Sequence, residues 1–196
     1  MELLEIVSEQ NNTPSGVFLG RKDAIAQKAW CRSTNVFVLN PAGQILCHQR
    51  SLEKERFPGA WCTHMGGHVS QGETYESNAS KELREEAGID IDPVSLVPWR
   101  ITKHAGTRVW IKEFVTCLDL PASAFTPQKG EVEEFAWKSL EEIIKEIKIK
   151  PWLAGTHDII AEYQCMRAVI TAASSRGIMS ALTYCHTWQP PMVALS

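Results

Sequence analysis

The chain is short of the features that mark whole classes of protein. It has no apolar run near the ~20 residues that a spanning helix requires, and no internal repeat, low-complexity tract or proline- and glycine-rich linker that would divide its 196 residues. It has no long basic block either. With 20 Lys and Arg against 23 Asp and Glu, the formal charge is −3, which argues against binding to nucleic acid or to a membrane surface by charge alone. The first residues, Met1-Glu2-Leu3-Leu4-Glu5, are acidic where a signal peptide would be basic, so the expectation is a cytoplasmic protein. The six cysteines include no Cys-x-x-Cys pair and read as free thiols in apolar stretches. A zinc site from Cys62, His64 and His68 would lack the second cysteine pair that such sites usually have.

What is present is a mixture of strand and helix signals. Strands are expected at Leu3–Val7, 95–103, 108–118 and 134–138. The strongest pair is 35–39 and 44–50, joined by Asn40-Pro41-Ala42-Gly43 and read as a hairpin. Residues 11–16 read as a turn. A helix is expected over 73–87, free of proline and internal glycine and stopped by Gly88. Ser139 caps a second helix whose Leu140, Ile143, Ile144 and Ile147 form an apolar stripe ended by Pro151, and a third follows Thr156 with Ile159, Ile160, Tyr163, Met166, Val169 and Ile170. The stripes are expected to pack on a sheet. Residues 1–176 are read as one domain and 177–196 as a tail. The final helix leaves a homodimer open, since it can cover its own sheet or a second subunit.

The chemistry concentrates on the 73–87 helix. At about 100° per residue, Glu82, Glu85 and Glu86 share an arc of roughly 100° on one face. Three like charges this close raise one another's pKa, and a hard divalent cation would remove that cost. A solvated acidic face is the plain alternative.

The surroundings of this stripe narrow the choice. Gly67, Glu73, Lys81, Glu82, Leu83, Glu85, Glu86, Gly88 and Ile89 resemble the Nudix hydrolase signature, G-x5-E-x7-R-E-U-x-E-E-x-G-U with U aliphatic, in all but Lys81, where arginine is expected. The resemblance implies an α/β fold, an α/β/α sandwich around a mixed β-sheet. It also implies Mg2+, with Mn2+ as the alternative, and a small-molecule organic diphosphate as substrate. It makes Glu82, Glu85, Glu86 and the carbonyl of Gly66 metal ligands, and Glu73 and Lys81 struts. Lysine is a point charge where arginine would offer a bidentate fork.

Arg50, Lys54, Phe57-Pro58-Gly59, Trp61, residues 131–135 and Trp137 resemble the Nudix subgroup that contains isopentenyl diphosphate isomerase and hydrolase-like relatives. The isomerase's cysteine corresponds to Gly66. Its upstream histidine ligands fall near Ile25 and Cys31, and of its downstream glutamates only Glu131 is matched, with Lys129 at the other position. His68 is retained, and so are all three helix glutamates, one or more of which a binding module without turnover would be expected to have lost. The reading is therefore a hydrolase of a diphosphate linkage, with isomerase or non-catalytic binding module as alternatives. Glu85 or Glu131 is the candidate base, Glu86 belongs with them at the catalytic centre, and Arg50, Lys54 and Arg21 are candidates to hold phosphate.

Overall fold

The computed structural model describes residues 2–153 and 156–176; the expected tail at 177–196, and Cys185 within it, lie outside the described residues. The elements run β1 (Leu3–Val7), β2 (Pro14–Gly20), α1 (Arg21–Ala26), β3 (Cys31–Leu39), β4 (Ile45–Arg50), β5 (Trp61–Cys62), α2 (Tyr75–Ala87), β6 (Val97–His104), β7 (Val109–Cys117), β8 (Val132–Lys138), α3 (Leu140–Glu146) and α4 (Thr156–Arg176). β1 and β2 pair as a separate antiparallel hairpin, while the main sheet runs β5-β4-β3-β7-β6 with β8 on β4. β3 and β7 are parallel from Cys31↔Val109 to Leu39↔Cys117, and the remaining strand pairs are antiparallel, so the sheet is mixed.

Alternation along β3 builds two cores. Val36 and Val38 point to one face, where they meet Ala79, Leu83 and Ala87 of α2 together with Phe114 and Phe125. Phe37 and Leu39 point to the other, where they meet Ile143 of α3, Ile159, Tyr163, Met166 and Val169 of α4, and Trp99. Each strand residue thus serves one layer only, as the two-residue period of a strand dictates. The result is the expected α/β/α sandwich. The apolar stripe of α4 covers its own sheet, and the Tyr163 hydroxyl donates to the Gly43 carbonyl in the β3–β4 turn. Among the described residues, no helix is long and apolar enough to cross a membrane.

The structure corrects several details. β3 and β4 pair only at Leu39↔Ile45, so they splay apart rather than forming the expected full hairpin. The edge of β3 below that point is taken by the segment before α2, through Val36↔Met65 and Ser33↔His68. Residues 11–16 run into a strand, β2, whose side chains are mostly exposed and therefore lack an apolar alternation to reveal it. β8 begins two residues earlier than expected. α3 is only seven residues long, and Ile144, though part of the expected stripe, is 37% exposed. The short helices were legible where they carry caps: Ser139 accepts from the Glu142 N–H and Glu142 answers to the Ser139 N–H, a reciprocal capping box.

Leu83 is 1% exposed whereas Leu52, in the loop after β4, is 73% exposed. Leu83→Ala should cost about 2–5 kcal/mol and lower the melting temperature by roughly 5–15 °C. Leu52→Ala should stay within about 0.5 kcal/mol. Thermal unfolding followed by circular dichroism measures both, and equal effects would contradict the assignment of α2 to the core.

Candidate active site

Helix α2 is fixed at both ends by its own sequence. Thr74 caps it, accepting from the Ser77 N–H while the Ser77 hydroxyl accepts from the Thr74 N–H. At the other end Gly88 takes the left-handed conformation at φ 69° and its N–H reaches the Arg84 carbonyl. Ala79, Leu83 and Ala87 face the sheet, which turns Glu82 and Glu86 towards the segment that lies along β3.

That segment is held close. The Gly67 carbonyl accepts from the Thr34 N–H at 2.9 Å and from the Ser33 hydroxyl at 2.8 Å. A Cβ on Gly66 would sit 2.0 Å from the Thr34 carbonyl oxygen, and one on Gly67 would sit 2.4 Å from Glu82 Oε1. The two glycines are what allow a carboxylate-bearing helix and a strand-bound loop to approach this closely.

Burial pushes Glu82 up to about 7, with Glu85 adding to the rise and Lys81 opposing it. Burial pushes Glu86 further, to about 8, assisted by the charges of Glu82 and Glu131 and opposed by the Gly66 N–H and Arg50. Glu86 Oε2 is buried with no hydrogen-bond partner. Glu85, by contrast, lies exposed at the rim.

Glu131 stands across from Glu86 at the start of β8 and forms an ion pair with Lys54. Arg50, at the end of β4, donates to the Arg56 carbonyl at 3.1 Å, and its charge bears on Glu86. The structure therefore brings Glu82, Glu131 and Arg50 within electrostatic reach of Glu86, to which the Gly66 N–H also donates, and Lys54 joins this group through Glu131. Arg21 begins α1 on the flank, exposed, and its charge acts on His68.

Two residues of this region, His48 and Asn78, escaped the sequence reading. His48, and His64, which was read only as a possible zinc ligand, are held neutral mainly by burial, at about 3 and about 4 respectively, with the charge of Arg50 adding to the effect. Asn78, wholly buried on α2, binds both Glu73 and Glu82. Its signal was available: an asparagine inside a helix, a poor place for it, at an angle between Glu82 and Glu85. The Cys62 thiol is fully buried, donates to the His64 carbonyl at 3.1 Å and is pushed by burial up to about 12.

Among the described residues, no three carboxylate, imidazole or thiol side chains already converge as a complete metal shell. The donor set nevertheless suits a hard cation. Glu82 and Glu86 offer two carboxylates, one with an oxygen lacking any partner, and Mg2+ commonly takes one or two carboxylates with waters and substrate phosphate completing its six positions.

A NUDIX domain model matches residues 30–160, and the chain belongs to that family, whose enzymes generally use divalent metals and act on phosphoanhydride-type substrates. It is 30% identical over 119 residues to an isopentenyl-diphosphate Delta-isomerase of Klebsiella pneumoniae, a match covering 59% of this chain and 65% of the isomerase. It is 29% identical over 150 residues to a Nudix hydrolase of Deinococcus radiodurans, covering 74% of this chain and 84% of that protein. A crystal structure from Deinococcus radiodurans superposes with a TM-score of 0.67 at 23% identity, over 81% of this chain and 97% of the other. The NUDIX domain of Shewanella oneidensis NrtR, solved with ADP ribose, gives 0.56 at 16% identity, over 76% and 99%.

The buried acids and imidazoles oppose one another in their effect on stability. The ordinary values are 4.5 for Glu and 6.5 for His. Above 4.5 the unfolded chain releases the Glu82 and Glu86 protons that the fold retains to about 7 and 8, so stability falls as pH rises through that range. Below 6.5 the unfolded chain takes up protons that His48 and His64 refuse until about 3 and 4, so stability falls as pH drops. In EDTA, melting temperature should therefore peak at about pH 4.5–6.5 and decline towards pH 8.5, each unmatched proton contributing about 1.4 kcal/mol per pH unit. A melting temperature that climbs steadily to pH 8.5 in EDTA would contradict the buried placement of the two glutamates.

Proposed function

We propose that this protein hydrolyses a diphosphate linkage of a small organic diphosphate, with Mg2+ or Mn2+ held by Glu82, Glu86 and the Gly66 carbonyl and with Glu85 as a further ligand at the rim. The observation that carries the reading is Glu86, a half-buried carboxylate near the charges of Glu82 and Glu131, whose Oε2 is buried without a partner. Burying that much negative charge is costly unless a cation joins it. When bound, the cation neutralises phosphate charge and makes the attacking water more acidic.

The chain's own residues do the rest. Arg50 and Lys54, whose charges lie near Glu86 and Glu131, clamp the phosphates, with Arg21 as a further cation on the flank. Glu85 or Glu131 accepts the proton of the attacking water. Glu131 is paired with Lys54, and a phosphate that draws Lys54 away frees it for that task. Gly66 stands where the isomerase subgroup has its reactive cysteine, which favours attack at phosphorus over proton transfer at carbon. The isomerase relatives nevertheless make isopentenyl diphosphate a necessary member of any substrate panel.

The test is turnover of nucleoside triphosphates, dinucleoside polyphosphates, sugar nucleotides and prenyl diphosphates with Mg2+ or Mn2+, scored for phosphate-containing products. Hydrolysis of at least one class is expected, with a loss of at least about a hundredfold in Glu86→Gln. Normal turnover by that variant would overturn the assignment. Conversion of isopentenyl diphosphate to its dimethylallyl isomer without hydrolysis would establish the alternative.

A further inference from the structure

Lys81 leaves work undone that a guanidinium at the same place would perform. Its Nζ lies 2.8 Å from Glu73 Oε1 but 3.9 Å from Glu82 Oε1, beyond hydrogen-bond distance. Glu73 is well held, since its other oxygen accepts from the Ser70 N–H at 2.9 Å. Glu82 is the carboxylate that Lys81 fails to reach.

Asn78 fills that gap. It is 0% exposed and lies one turn before Glu82 on α2, so the two side chains are neighbours on the helix surface. Its Nδ2 is 3.0 Å from Glu73 Oε2, 3.3 Å from Glu82 Oε1 and 3.0 Å from the His68 carbonyl. Its Oδ1 accepts from the Thr34 hydroxyl at 2.5 Å. The three neighbours of Nδ2 are all acceptors, sharing its two hydrogens, and the neighbour of Oδ1 is a donor, so the network itself fixes which way the amide points.

We infer that Asn78 and Lys81 together replace one arginine: Lys81 supplies the positive charge at Glu73, and Asn78 supplies the directed N–H groups that aim Glu82 at the cation. Asn78 is a positioning residue in this account. Through the Thr34 and His68 bonds it also ties the orientation of Glu82 to β3 and to the loop that contains Gly66 and Gly67. A lysine is tolerated at position 81 because the fork of donors has been divided between two side chains on adjacent turns. The inference rests on the reading of Glu82 as a metal ligand, and its test separates the two.

The probe is Mn2+ alone, titrated into metal-free protein and followed by the paramagnetic resonance signal of the free ion, with melting temperature recorded for each variant. Asn78→Ala should weaken Mn2+ binding about tenfold. Adding Lys81→Arg to that variant should return the affinity to within about threefold of wild type, because the guanidinium reaches both glutamates. The loss of the Thr34 and His68 bonds is the same in both backgrounds, so a purely structural role for Asn78 would give no such rescue. Asn78→Ser supplies the same comparison should the alanine variant fail to fold. Wild-type protein that binds no Mn2+ would overturn the metal-site reading and this inference with it. Wild type that binds, beside an Asn78→Ala variant that binds equally well, would overturn this inference alone. A weakened Asn78→Ala variant that Lys81→Arg does not rescue would do the same.

Discussion

The arrangement of this molecule depends on how near the carboxylate face of α2 can come to the loop on the edge of β3. Two adjacent glycines set that distance. With a methyl group at Gly66 the loop would collide with the Thr34 carbonyl, and with one at Gly67 it would collide with Glu82. Close approach takes water from Glu82 and Glu86, so that without a cation they hold their protons to about 7 and about 8. Stability is thereby given up at one place, as happens where a site is built to meet a ligand rather than to be satisfied internally.

The sheet makes room for that ligand. β3 is bound along its length by parallel β7, while β4 touches it at a single pair and then turns away to meet β5 and β8. The opening is lined on one side by α2 and the glycine loop, on the other by the residues that end β4 and begin β8. Arg50 sets its charge against the acids of the helix, while Lys54 is paired with Glu131.

Much of this was legible before any coordinates. The carboxylate arc follows from helical geometry, the C-terminal end of α2 from Gly88, and the existence of β3 and β4 from the β-prone runs on either side of residues 40–43. What stayed hidden was long-range pairing. The turn 40–43 has hairpin chemistry, and nothing local indicates that the strands beyond it diverge, because the competing partners of β3 lie some 30 and 75 residues further along the chain, at 65–68 and 109–117. β2 was missed since its exposed side chains follow no apolar period. Asn78 and His48 were missed for another reason: their surroundings, a polar network for Asn78 and the Phe135 ring for His48, come from the folded neighbours, which single-residue patterns do not encode. The arc itself promised three equivalent carboxylates, whereas packing half-buries Glu82 and Glu86 and leaves Glu85 exposed at the rim.

The most direct measurement is anomalous diffraction from a crystal of the protein soaked in MnCl2. The account predicts a manganese peak within about 2.5 Å of oxygens from both Glu82 and Glu86, with the Gly66 carbonyl directed at it. A crystal with no peak in that cleft, or with manganese bound only at surface carboxylates elsewhere, would contradict it.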